Sequence, residues 1–233
     1  MKPIGLIGGL TYVSTIEYYR VLNELANKKL GGSATAEIIM YSVNFEEIKI
    51  LTEKYDWEKL ALIISGLARK IEAAGASCLL IGANTMHKIA GEIQNAINIP
   101  VIHIADAVGK SIKSREITKV ALLGTRYTMQ LGFYQEKLSN YGIETIVPTG
   151  DDAEFINWTI YNEFSKNIFS PETKSRYQEI IDDLSRQGVD GVILGCTEIP
   201  LLIKQEDCSL PLFDTAKIHS QAGVDFAIQS ILV

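Results

Sequence analysis

The most suggestive chemistry in this 233-residue chain is a thiol at the end of an apolar run, in Gly188-Val-Asp-Gly-Val-Ile-Leu-Gly-Cys-Thr-Glu-Ile-Pro-Leu-Leu202. Residues 191–195 read as a strand buried on both faces, Cys196 follows at once, and Thr197 and Glu198 are expected to cap the next segment. Open α/β sheets hold ligands at the carboxyl ends of their strands. A free cysteine is more often a small buried apolar residue, but the polar Thr and Glu behind this one favour a site. A thiol there can act as general acid or base, because its reference pKa near ~8.5 falls beside a helix N-terminus or a cation.

The chain carries a second copy of this stretch. Gly75-Ala-Ser-Cys-Leu-Leu-Ile-Gly-Ala-Asn-Thr85 aligns with it without gaps at an offset of 113 residues, which places Ala83 on Cys196. Ile4–Gly9 matches Val120–Thr125 at an offset of 116, and Ile99–Ala105 matches Leu210–Ala216 at 111. Three matches in one order and at nearly one spacing indicate two copies of one α/β unit, the first without the thiol.

Two such units related by a pseudo-twofold are expected to bring Ala83 and Cys196 face to face across a cleft. Two opposed groups are what cofactor-free inversion at a carbon requires, one taking a proton from one face and one returning it on the other. The carbanion also needs its carboxylate held, and Asn84, Thr85, Thr125 and Thr197 offer the donors. Asn84 and Thr85 could equally be a plain helix cap.

The intervening segments read as alternating strands and helices. Strands are expected at Ile4–Ile7, Ala36–Tyr41, Cys78–Ile81, Ile99–Ile104, Val120–Leu123, Glu144–Val147, residues 191–195 and Leu210–Phe213. The Gly8-Gly9 turn lacks the third glycine of a dinucleotide loop and the lysine of a P-loop. A helix running to about Leu30 shows Ile16, Tyr19, Leu22, Leu25 and Ala26 at helical spacing. Ser42–Glu47 reads as irregular. Helices follow at Trp57–Ala74, from Asn84 to about Ala96, and at Ala107–Ser114, Phe155–Phe164, Ser175–Gln187 and Thr215–Leu232. His103, alone among apolar residues, reads as structural. The expected fold is α/β, with two pseudosymmetric three-layer α/β/α domains on parallel four-stranded sheets. The first takes residues 1–106 plus 212–233, the second residues 107–211.

Hydrophobic residues make up 47% and charged residues 21%, which is ordinary globular composition, and the net charge of −6 argues against nucleic acid or an anionic membrane as partner. No apolar run is long enough to span a bilayer. Three widely spaced cysteines make neither a disulfide framework nor a metal site, and a cytoplasmic protein is expected.

These motifs resemble those of the aspartate/glutamate racemase superfamily, and in particular its aspartate racemase branch. The resemblance spans essentially the whole chain and rests on Ile7-Gly-Gly-Leu-Thr11, Asn84-Thr-Met-His-Lys88, Leu122-Leu-Gly-Thr-Arg-Tyr-Thr128, Leu194-Gly-Cys-Thr-Glu-Ile-Pro200 and Phe213-Asp-Thr215. It implies a racemase of acidic amino acids that needs no pyridoxal phosphate or other cofactor, works in the interdomain cleft and is usually a homodimer. The thiol at Cys196 is then one of two acid/base groups. For the distal carboxylate the candidates are Lys166, near where relatives place a lysine, Lys49 and Arg126; the last two also read as a surface charge and a loop brace. Leu10 and Thr52 fall in segments that border the ligand in relatives.

Ala83 departs from the pattern, because relatives with two-base chemistry carry cysteine there and a methyl group exchanges no proton. Three accounts stay open: a replacement made to trap a complex, a substitute group such as Thr11, Tyr12 or a bound water, or loss of racemisation. The single thiol also agrees with a decarboxylase of the arylmalonate type, or with a relative that binds an amino acid without turning it over.

Overall fold

The structure is a computed structural model that describes residues 1–229. The chain divides into two compact units, one formed by Met1–Ile104 with residues 219–229, the other by Ala105–Ile218.

In the first unit, β1 (Ile4–Gly8) lies between β2 (Ile38–Ser42) and β3 (Cys78–Ile81), all parallel. β1 and β3 are buried along their whole length, as strands covered on both faces must be. Ile7, Leu79 and Ile81 pack with Leu60, Ile64, Leu67 and Ile71 of the helix Trp57–Ala73. That helix begins at Asp56, whose Oδ1 accepts the Lys59 amide at 3.1 Å.

The fourth strand expected at Ile99–Ile104 is reduced to one parallel bridge, Leu79↔Val101, so this sheet has three strands rather than four. Pro100 has no amide hydrogen. Toward β3 the segment bonds at Leu79, whose amide donates to the Pro100 carbonyl and whose carbonyl accepts the Ile102 amide, both at 2.9 Å, while the amides of Ile99 and Val101 go to Glu72 Oε1 and Gln94 Oε1. Helix then starts at Ile104, earlier than the expected Ala107. The stretch Ser42–Glu47 is also not irregular throughout, since Asn44 Oδ1 caps a helix over Phe45–Glu53 whose first turn carries Glu46 and Glu47. On the helix Tyr12–Leu30 the buried face is Val13, Tyr18, Val21, Leu22 and Ala26, whereas Ile16 and Tyr19 are exposed.

The second unit has four parallel strands in the order β5-β4-β6-β7: β4 (Lys119–Gly124), β5 (Glu144–Ile146), β6 (Val192–Gly195) and β7 (Leu212–Asp214). Its core joins Leu123, Val192 and Leu194 to Ile156, Tyr177, Ile180 and Leu184 from the helices Gly150–Asn162 and Pro171–Arg186. The short helices Arg126–Gln130 and Phe133–Ser139 follow β4. The last helix is described over Thr215–Gln229, and its expected continuation to Leu232 lies outside the described residues.

The duplication reappears in strand register. Gly5↔Leu79, Leu6↔Leu80 and Ile7↔Ile81 become Ala121↔Val192, Leu122↔Ile193 and Leu123↔Leu194 under the offsets of 116 and 113. Even the lone bridge Leu79↔Val101 has its counterpart, Val192↔Leu212. The two sheets are therefore the same topology, with the last strand complete only in the second.

Candidate active site

In the second unit the paired strands β4 and β6 end together at Gly124↔Gly195, so Thr125 and Cys196 leave the sheet side by side. Glycine is required at this end, because a Cβ on Gly195 would lie 2.7 Å from the Leu123 carbonyl oxygen. Thr125 caps the helix Arg126–Gln130, its Oγ1 accepting the Thr128 amide at 3.3 Å. Cys196, 9% exposed, sits against the apolar cluster of this unit.

The cap expected from Thr197 and Glu198 does not form. Glu198 precedes the short helix Ile199–Leu202 without a side-chain cap bond. Its buried carboxylate turns back, and Oε2 accepts both Cys196 Sγ–H at 3.0 Å and Thr197 Oγ1–H at 2.9 Å. The neighbour of the thiol is thus an acid rather than a cation. Burial first, and then the Glu198 carboxylate, holds Cys196 well above an ordinary thiol pKa, against the lowering expected from the sequence. Burial also raises Cys78, to about 11, and Cys208, so the shift alone does not single out Cys196. The bonded carboxylate does. It favours the protonated sulfur and places a proton acceptor beside it, an arrangement that can serve general acid/base chemistry.

Glu198→Gln separates these two effects. Loss of the negative charge lowers the Cys196 pKa, so alkylation of Cys196 at pH 8 becomes faster, followed by mass spectrometry of the modified peptide. Loss of the proton acceptor slows any exchange of a substrate α-proton, on the order of 10²-fold. Parallel changes in both rates would show that the carboxylate acts only through the thiol's charge.

In the first unit the turn after β1 begins at Gly9, with φ +76°, where a Cβ would fall 2.3 Å from the Val43 carbonyl oxygen. The Gly9 amide is taken by Thr15 Oγ1 at 2.7 Å, and Thr11 caps the helix by accepting the Ser14 amide at 3.1 Å. After β3, Ala83 is half-buried, while Asn84 and Thr85 are buried. The helix expected from Asn84 opens as a 3-10 turn over Thr85–Ile89 and becomes α-helical at Ala90–Asn95. Two side chains hold the backbone here: Ser14 Oγ donates to the Gly82 carbonyl at 3.0 Å, and His87 Nδ1 to the Ala83 carbonyl at 2.9 Å.

Of the other expected contacts, Leu10 is buried with Ala83 packed against the same cluster. Thr52 is buried too, but its Oγ1 donates to the Ile48 carbonyl of its own helix at 2.8 Å. Lys166 is exposed, closing a 3-10 turn at Phe164–Lys166. Arg126 pairs with Glu154 at 3.1 Å, and Lys49 lies near Glu46 and Glu53 on its own helix. Both fit the surface and loop-bracing roles better than ligand binding. Thr11 is committed to its cap, and Tyr12 is exposed.

His103 belongs to a group with the other two histidines of the chain. The His87 ring lies edge-on to His103 and His219, at centroid distances of 4.8 and 5.3 Å. Burial first, then His87, pushes the His219 pKa from 6.5 down to about 3. The unfolded chain therefore takes up a proton below pH 6.5 that the folded chain refuses, so stability falls as pH falls toward 3. For His219 alone the loss is on the order of 2 kcal/mol between pH 7 and pH 5. Urea melts at the two pH values measure it, and His219→Gln shows a smaller pH dependence.

A duplicated parallel-sheet unit with a buried thiol bonded to a carboxylate at the end of one central strand defines a class of α/β proteins, and comparison with known proteins identifies the family. The chain belongs to the Asp/Glu/hydantoin racemase family, whose model matches residues 7–223. It is similar to a candidate Asp/Glu racemase from Yersinia pestis, with 46% identity, a TM-score of 0.91, and coverage of 98% of this chain and 100% of that one. An aspartate racemase homologue from Pyrococcus horikoshii OT3 is 37% identical at a TM-score of 0.85, again over 98% and 100% of the chains. The broad specificity amino-acid racemase RacX of Bacillus subtilis (strain 168) is 25% identical, over 95% of this chain and 96% of its own length. No helix among the described residues is long and apolar enough to cross a membrane.

Proposed function

We propose that this chain catalyses cofactor-independent proton exchange at the α-carbon of an amino acid of the aspartate/glutamate class, with Cys196 as the acid/base group. The observation that carries the reading is the Cys196 Sγ–Glu198 Oε2 hydrogen bond of 3.0 Å at the end of β6. Transfer of the thiol proton to Glu198 frees a thiolate to take the α-proton, and the reverse transfers restore both groups. Asn84, Thr85, Thr125 and Thr197 are the proposed donors to the substrate, with Leu10 and Thr52 bordering it and Lys166 facing its distal carboxylate. Position 83 is the proposed place of the second acid/base group, occupied here by a methyl. The working form is a homodimer in the cytoplasm.

A single thiol removes and returns the proton on one face. In heavy water, one enantiomer of aspartate or glutamate therefore gains α-deuterium faster than it inverts, read by proton NMR together with chiral chromatography. The name of the Bacillus subtilis relative justifies adding neutral amino acids to the panel. Absence of exchange with every amino acid tried removes the reading. Ala83 itself favours a second one, decarboxylation of an arylmalonate-type diacid, in which loss of carbon dioxide leaves an enediolate that the Cys196 thiol protonates from one side. Carbon dioxide release from such a diacid, without α-exchange of amino acids, selects it.

A further inference from the structure

His87 has a part in this site that its burial alone does not explain. A carbonyl oxygen can only accept, so the contacts fix the tautomers. His219 carries its proton on Nε2, which donates to the Ile102 carbonyl at 2.6 Å, and its Nδ1 accepts the Tyr18 hydroxyl at 2.8 Å. His87 carries its proton on Nδ1, which donates to the Ala83 carbonyl. Its Nε2 is buried and makes no hydrogen bond of good geometry, although the Ile102 carbonyl also lies against the ring. An apolar side chain at 87 would avoid that penalty, and a buried acceptor left unpaired calls for a reason. The bond made by the other nitrogen supplies one. With Ser14 on the Gly82 carbonyl, it fixes the peptides on both sides of position 83.

We propose that His87 is a positioning residue, which in its neutral Nδ1–H tautomer grips the Ala83 carbonyl and thereby sets Asn84 and Thr85 to receive the substrate. The role attributed to Asn84 and Thr85 rests on the proposed function. The tautomer and the grip on the backbone do not. His103 and His219 confine the ring edge-on, and Tyr18 orients His219 in turn. The three histidines do not form a metal site, since no group of three or more His, Cys, Asp or Glu among the described residues is placed to hold an ion.

Two variants and one spectrum test this. His87→Asn keeps an N–H donor near the position of Nδ1, and His87→Leu fills the space without one. With the best amino acid from the exchange assay, His87→Leu raises KM on the order of tenfold, the size of one lost hydrogen bond, with kcat changed less. His87→Asn restores KM to within about threefold of the parent, a tolerance well inside that one bond. Equal KM in all three proteins, or an Asn variant as impaired as the Leu variant, overturns the proposal. Nitrogen-15 NMR of the unaltered chain reads the tautomer directly and needs neither turnover nor a variant that folds. Nδ1 protonation of His87, with slow hydrogen exchange of its ring proton, supports the grip, and Nε2 protonation overturns it. If no amino acid is turned over, the proposed function fails, and the spectrum still decides whether His87 holds the carbonyl.

Discussion

Cys196→Ala lowers α-proton exchange by about 10²–10⁴-fold, the span that one positioned acid/base group contributes. The expected cost in stability is far smaller. Cys196 borders the apolar cluster of the second unit with 9% of its surface exposed, so its truncation removes one sulfur from a site that water can partly refill, about 1 kcal/mol. Cys196→Ser is the sharper control. A serine hydroxyl can still donate to Glu198 and preserve the local bonding, but it ionises far too weakly to accept an α-proton. If the sulfur transfers the proton, Ser and Ala are equally inactive while both fold and bind the amino acid. If the sulfur only braces Glu198, Ser retains activity that Ala loses. Exchange in heavy water and calorimetric binding on the same samples separate the two, and wild-type exchange in the Ala variant ends the acid/base assignment.

Strands buried on both faces were legible because their sequence is uniformly apolar. β3 was read at its observed limits, and the register shared by Ile7↔Ile81 and Leu123↔Leu194 was already implicit in the offsets of the duplication. The last strand of the first sheet differs from its expectation because the apolar residues around Pro100 look like a strand, while the pairing with β3 goes no further than the one bridge at Val101. The helix Phe45–Glu53 was hidden by its short length and by a buried face of only Ile48 and Thr52. At the site, Cys196 was visible as a residue type at a strand end, but the role of Glu198 was not. Whether a carboxylate caps a helix or turns back to a thiol two residues away is a choice between rotamers, decided by surrounding packing. Asn84-Thr-Met-His87 pointed to the turn after β3. That His87 serves its backbone depends on Tyr18, His103 and His219, which meet only in the folded unit.

Ala83→Cys is expected to have the converse effect, a gain of inversion of about 10²–10⁴-fold with little change in exchange at the face served by Cys196. The backbone at this position does not depend on the side chain. The Ala83 amide donates to the Ile81 carbonyl at 2.8 Å, its own carbonyl takes the His87 proton, and the preceding carbonyl takes the Ser14 hydroxyl. Ala83 is half-buried, so one added sulfur does not overpack a sealed core. The parent chain should exchange the α-proton of one enantiomer with retention, because a lone thiol returns deuterium to the face it deprotonated. With a second thiol able to donate from the other face, each carbanion partitions between retention and inversion, and the two rates converge. Ala83→Ser adds similar bulk with a hydroxyl that does not ionise in this range, and should leave inversion slow. An Ala83→Cys protein that exchanges as before yet does not invert shows that position 83 is not the second acid/base position.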